Sequence, residues 1–135
     1  MITCYLGLGS NLGNRRRNIQ NAILELSKIK GVKVLQTSTF INTKAVGGPK
    51  NQPNYLNAAI KIKTSIPAQV LLKKIKNIEI RLGRIKSVRN GPRIIDIDIL
   101  FYGEKKIQTK KIVIPHPRVF KRDFVIKPLS EVICA

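Results

Sequence analysis

The sequence predicts an α+β fold, an antiparallel sheet with helices on one face and a small C-terminal extension. Three observations predict it. Two stretches repeat apolar residues at helical spacing, and each stops at a glycine, Gly31 or Gly83. Other stretches are short, β-branched and apolar, bounded by glycine, proline or asparagine, as strands are. Their order along the chain is β-α-β-β-α-β, the ferredoxin-like split β-α-β arrangement. The length, 135 residues, suits one domain over 1–135. Such a domain has a radius near ~14 Å and buries roughly two-thirds of its unfolded surface, enough for a core without staples.

The first strand spans 2–9, with Gly7 and Gly9 near its end. Ser10-Asn11-Leu12-Gly13 makes a turn, and Asn14 is placed to cap a helix that runs to about Ile29. Ile19, Ala22, Ile23, Leu26 and Ile29 form its apolar stripe. The Gly-Leu-Gly-Ser-Asn-Leu-Gly stretch invites a phosphate-loop reading, yet it lacks the Gly-Lys-Ser/Thr ending of a P-loop and the spacing of a dinucleotide fingerprint. Close strand–helix packing explains it as well. A second strand spans 32–42, and 43–53 is a long loop without periodicity, of the kind that often binds ligands. A third strand covers 55–64. Pro67 opens the second helix, 67–82, whose stripe is Val70, Leu71, Ile75, Ile78 and Leu82. A second non-periodic segment, 84–93, precedes a strand within Gly91–Gly103, with a hairpin partner at 105–109. Ile114-Pro115-His116-Pro117-Arg118 is a rigid turn. For 118–133 a short helix and an edge strand both fit.

The strand after Gly91 carries Asp96 and Asp98. Positions i and i+2 share one face of a strand, roughly 7 Å apart, where two like charges cost about 2.5 kcal/mol at an effective dielectric near 20. The chain has only seven acidic residues against a net charge of +19. Either both carboxylates face a cation or they belong to a solvated, alternating strand. Two aspartates are too few to cage a metal. They suit Mg²⁺, which keeps waters and takes its remaining ligands from substrate phosphates.

The charge itself admits nucleic acid, a polyphosphate such as ATP, or solvated lysines. The lysines are dispersed, which fits the last. Arg84, Arg89, Arg93, Arg118 and Arg122 gather near the turn residues and the aspartate strand, which points to a local anion site. An RNA-binding sheet needs exposed aromatic residues for stacking. Aromatic residues make up 5% of the chain and no RNP1-type run is present, so a nucleic-acid partner is not expected. No apolar run approaches the ~20 residues of a membrane span, and the first residues lack signal-peptide features. Cys4 and Cys134 fit no metal or disulfide pattern, so reduced thiols in a cytoplasm are expected.

Several motifs then fall into register: Gly7-Leu8-Gly9-Ser10-Asn11-Leu12-Gly13, Gln52-Pro53-Asn54-Tyr55-Leu56-Asn57-Ala58-Ala59, Gly83-Arg84, Gly91-Pro92-Arg93 with Asp96 and Asp98, Ile114-Pro115-His116-Pro117-Arg118, and Arg122 with Phe124 and Pro128-Leu129. Over nearly its whole length the chain resembles the 6-hydroxymethyl-7,8-dihydropterin pyrophosphokinases of folate biosynthesis. The resemblance implies transfer of pyrophosphate from ATP, the co-substrate, to the pterin hydroxymethyl group, with release of AMP. It implies two Mg²⁺ ions on Asp96 and Asp98, with Arg84, Arg93, Asp96 and Asp98 as the catalytic set. It implies nucleotide contacts from Glu79, Arg84, Arg89, Arg93, Ile99, Lys111, His116 and Arg122. For the pterin it implies Thr43, Val46, Tyr55, Asn57, Asp96 and Phe124, with Tyr55 and Phe124 as stacking rings and Asn57 reading the pteridine edge. On their own, Glu79 reads as an exposed helix charge, His116 as a turn residue, Phe124 as core and Tyr55 as an ordinary strand residue. The chain departs from the family pattern at Lys44, Lys86 and Asn90. A monomer without membrane or nucleic-acid partners is expected.

Overall fold

The computed structural model describes residues 1–44, 53–83, 93–117 and 123–133, the side chains of 123–125 excepted. In chain order it contains β1 (Ile2–Ser10), α1 (Arg15–Ser27), β2 (Val32–Thr37), β3 (Ile41–Thr43), β4 (Tyr55–Thr64), α2 (Ala68–Arg81), β5 (Asp96–Tyr102), β6 (Ile107–Gln108), β7 (Val113–Ile114) and α3 (Asp123–Ile133). The main sheet has the order β2-β4-β1-β5, with β3 also on β4, and its pairs are antiparallel. The expected β-α-β-β-α-β frame is therefore present.

Strand alternation sends two residue sets to two layers. Leu6, Leu8, Ile60, Ile62, Ile97 and Ile99 pack with Ile19, Ala22 and Leu26 of α1 and Leu71, Ile75 and Ile78 of α2 in one core. Ala59 and Leu100 point the other way and meet Leu129 and Val132 of α3, beside Tyr5 and Phe101. The last segment is thus a helix, and it covers the face opposite α1 and α2. Glu131 holds it there. Its carboxylate accepts from the Thr39 N–H at 3.1 Å and the Thr39 hydroxyl at 2.6 Å, and these bonds hold it below the usual carboxylate range.

Local chemistry explains most boundaries. The Asn14 side chain caps α1 by accepting from the Arg17 N–H at 3.1 Å. The expected second strand breaks in two at Ser38, whose hydroxyl accepts from the Ala59 N–H at 2.8 Å while its own N–H bonds the Ala59 carbonyl. Val70 is not on the buried stripe of α2. It is 43% exposed, and Ala68, Leu71, Ile75, Ile78 and Glu79 form the buried side. The hairpin expected through Gly103-Glu104 does not pair with β5, because β6 pairs with β7 instead. Gly103, at φ +55°, and the Lys105 N–H to Tyr102 carbonyl bond turn the chain away. Cys4 is fully buried, which pushes its thiol up to about 11, so it stays protonated at neutral pH. Cys134 lies outside the described residues.

Candidate active site

Two registers meet on β1. Gly9 pairs with Asn57 of β4 on one side and with Asp96 of β5 on the other. Gly7 likewise stands between Ala59 and Asp98. Paired residues share a face, so Asn57, Gly9 and Asp96 form one row and Ala59, Gly7 and Asp98 the next. Both rows lie on the face away from α1 and α2. Asn57 and Asp96 are two strand spacings apart, about 9.6 Å, and between them Gly9 presents no side chain. A Cβ on Gly9 would lie 3.0 Å from Asn57 Oδ1 and 3.4 Å from Tyr55 Cδ1. Gly9 is therefore explained by a bare floor between two polar side chains, whereas a Cβ on Gly7 would meet the Leu100 side chain at 3.4 Å, in the layer packed against α3.

On the β4 side, Asn57 is buried and its Nδ2 donates to Thr43 Oγ1 at 2.7 Å. Thr43 is the register partner of Tyr55. Three of the expected pterin residues thus gather at one end of β4. Val46 lies outside the described residues, as does the side chain of Phe124, although α3 places its backbone in the first turn.

On the β5 side, Asp96 and Asp98 are both partly exposed, and Asp98 Oδ1 lies 3.8 Å from His116 Nε2. The rigid turn returns the chain to β5, where the His116 N–H donates to the Leu100 carbonyl at 3.1 Å. His116 is therefore not merely a turn residue, because it stands against the aspartate strand. Among the described residues no group of three His, Cys, Asp or Glu side chains could hold a metal ion. Two carboxylates on one face fit a hard divalent cation that completes its shell with water and phosphate oxygens, and they do not fit an all-protein cage.

The other expected nucleotide residues divide. Lys111 is exposed in the turn between β6 and β7. Ile99 is 4% exposed in the core between sheet and helices, which leaves only its main chain for a ligand. Glu79 is no exposed helix charge. It is 1% exposed, its Oε2 accepts from the Ile97 N–H at 2.8 Å, and its Oε1 lies 3.1 Å from Lys76 Nζ. Arg93 is half-buried, while Arg84, Arg89 and Arg122 lie outside the described residues.

Sequence reasoning missed Asn11. It is 1% exposed. Its Oδ1 accepts from the Arg93 N–H at 2.7 Å, its own N–H donates to the Arg93 carbonyl at 3.0 Å, and its Nδ2 donates to the Pro53 carbonyl at 3.2 Å. One side chain thus joins Arg93, three residues ahead of β5, to Pro53, two residues ahead of β4. Arg15 does similar work from α1, with Nη1 donating to Asn42 Oδ1 at 2.7 Å and the Asn54 carbonyl at 2.9 Å. An asparagine in a glycine-rich turn reads as a local turn former, so its long-range partners leave no local signal.

The chain is similar to known proteins along nearly its whole length. A family model described as 7,8-dihydro-6-hydroxymethylpterin-pyrophosphokinase matches residues 5–134. The 2-amino-4-hydroxy-6-hydroxymethyldihydropteridine pyrophosphokinase of Aquifex aeolicus is 46% identical over 132 residues, 98% of this chain and 81% of that protein. The folic acid synthesis protein fol1 of Pneumocystis carinii is 48% identical over 128 residues, 95% of this chain, and the match spans 17% of that longer protein. The crystal structure of an HPPK-DHPS in complex with substrates superposes with a TM-score of 0.54 at 16% identity, covering 81% of this chain and 30% of that one, a likeness of fold.

Proposed function

The chain belongs to the 7,8-dihydro-6-hydroxymethylpterin-pyrophosphokinase family, and from that membership we propose that it transfers pyrophosphate from ATP to 6-hydroxymethyl-7,8-dihydropterin, releasing AMP, in folate biosynthesis. The observation that carries the reading is the row Asn57–Gly9–Asp96. It sets a heterocycle-reading amide and a phosphate-side carboxylate on either side of an open floor.

The hydroxymethyl oxygen forms a bond to the β-phosphorus as the bond from that phosphorus to the α,β-bridging oxygen breaks. AMP leaves with that oxygen, and the hydroxyl proton is lost to solvent. Little covalent work falls to the protein, so positioning and charge neutralisation supply the rate. Two Mg²⁺ ions held by Asp96 and Asp98 together with phosphate oxygens would offset the charge of the transferring group. Arg93, with Arg84, Arg89 and Arg122, presents guanidinium forks to the triphosphate, and His116 and Lys111 add to that side. Asn57, oriented by Thr43, hydrogen-bonds the pteridine edge, and Tyr55 and Phe124 stack on its faces, with Val46 completing the pocket.

The face on which an RNA-binding sheet would stack bases carries these aspartates and α3, which supports the enzyme over that reading. We place the reaction in the cytoplasm, carried by a monomer. No described helix is long and apolar enough to cross a membrane.

A coupled assay of AMP release with ATP, Mg²⁺ and the hydroxymethyl pterin tests the reaction. AMP formed at the same rate without the pterin would refute it. Gly9→Ala drives a methyl against Asn57 Oδ1, so pterin affinity should fall by about tenfold or more with the melting temperature nearly unchanged. Calorimetric titration with the pterin reads this directly. Phe124→Ala should weaken pterin binding more than ATP binding, and equal losses would argue against stacking.

A further inference from the structure

Glu79 sits where a hydrophobic residue would be expected. It lies on the buried side of α2 with Leu71, Ile75 and Ile78, at 1% exposure. Burying a carboxylate is costly unless it is hydrogen-bonded and paired. An apolar residue would fill the stripe more cheaply, and acidic residues are scarce in this chain, seven against a net charge of +19. What an apolar residue could not do is accept a hydrogen bond from the sheet. Glu79 Oε2 does so at 2.8 Å, and the donor is the Ile97 N–H. Ile97 is the residue between Asp96 and Asp98.

The need for that bond follows from the sheet. β5 is the last strand in the order β2-β4-β1-β5. Its register with β1 slips between Tyr5 and Leu6, where Leu100 is the extra residue. A one-residue slip turns alternate side chains to the other face. The aspartates lie directly before this irregularity, so strand pairing alone is a weak guarantee of their direction. The bond from α2 anchors the peptide between them from outside the strand.

We infer that Glu79 is a positioning residue, holding Asp96 and Asp98 in the relative geometry that lets both serve one cation–phosphate assembly. The inference rests on the proposed function for the identity of that assembly. It replaces direct nucleotide contact by Glu79 with action through the Ile97 peptide. Groups that orient metal ligands from behind typically change metal affinity by about 10–100-fold when removed.

The test compares Glu79→Gln, which keeps an acceptor oxygen, with Glu79→Met, which fills the space without a comparable one. Mn²⁺ uptake beside α,β-methylene ATP is followed by electron paramagnetic resonance. Metal-free nucleotide affinity is measured calorimetrically in EDTA. Glu79→Met should bind Mn²⁺ about tenfold more weakly or worse, with metal-free nucleotide affinity unchanged, and Glu79→Gln should stay close to the unsubstituted protein. Equal behaviour of the two variants overturns the inference. So does a parallel loss of metal-free nucleotide affinity, the mark of direct contact. Should Glu79→Met fail to fold, amide exchange decides. Ile97 protection in the unsubstituted protein and in Glu79→Gln equal to that of the β1–β5 ladder supports the inference, and exposed-like exchange overturns it. A protein that binds Mn²⁺ and nucleotide as described yet releases no AMP refutes the proposed reaction and leaves the role of Glu79 standing.

Discussion

Asp96→Ala and Asp98→Ala each reduce pyrophosphate transfer by at least about a thousandfold, the scale of losing a preorganised charge at a reacting phosphoryl group, while the fold stands. The expectation follows from placement. Both side chains are partly exposed on the face away from the main core, so truncation leaves no large cavity. Their backbones remain paired with Gly9 and Gly7. Asp→Asn at either position should be nearly as damaging, because shape survives and the negative charge does not. AMP release at saturating ATP and Mg²⁺ measures the loss, and far-UV circular dichroism with thermal melting checks the fold. Ordinary turnover by either alanine variant would refute the role given to the pair. Asp98→Ala also removes the carboxylate 3.8 Å from His116, so His116→Ala is the companion variant, with a smaller expected loss.

Asn11→Ala is the second large effect, and it acts on stability and turnover together. The substitution removes the acceptor for the Arg93 N–H and the donor to the Pro53 carbonyl. A buried polar group left unsatisfied costs roughly 1–3 kcal/mol; Arg93 is half-buried and Pro53 is exposed, so its carbonyl can turn to water, and the total stays at about 1–3 kcal/mol. For a domain of this length the midpoint of thermal unfolding should fall by about 10 °C. Turnover should drop by about tenfold or more at temperatures where the protein is still folded, because Arg93 and the start of β4 lose their common tether and misplacement is expensive. Differential scanning calorimetry and the AMP-release assay read the two effects. A variant that melts and turns over like the unsubstituted protein would show that these bonds carry nothing.

Local regularities were legible without coordinates. Periodicity located both helices of the frame, and β4 occupies the residues that β-branched alternation marked. Asn14 caps α1 as its residue type suggests. The shared face of Asp96 and Asp98 follows from a period of two. Each of these depends on neighbours within a few residues, which is the range over which spacing and propensity act. The motifs carried the family in the same way, since they are runs and fixed intervals along one chain.

Contacts between distant segments had no such signature. Nothing in Gly-Leu-Gly says that Asn57 will flank it on one side and Asp96 on the other, because strand order is chosen by the whole sheet. Glu79 is separated from Ile97 by the second non-periodic segment, 84–93, and Val70 and Glu79 exchange the roles that composition suggests for them. Asn11 reaches Pro53 and Arg93 across separations of 42 and 82 residues. The sequence by itself determined the two helices of the frame, the cap of α1, the extent of β4 and which chemistry-bearing residues are available. Only the tertiary structure decided which of those residues share a row, which carboxylate is buried and which side chain links two segments. Burial and hydrogen-bond satisfaction are settled when elements pack together, not as each one forms.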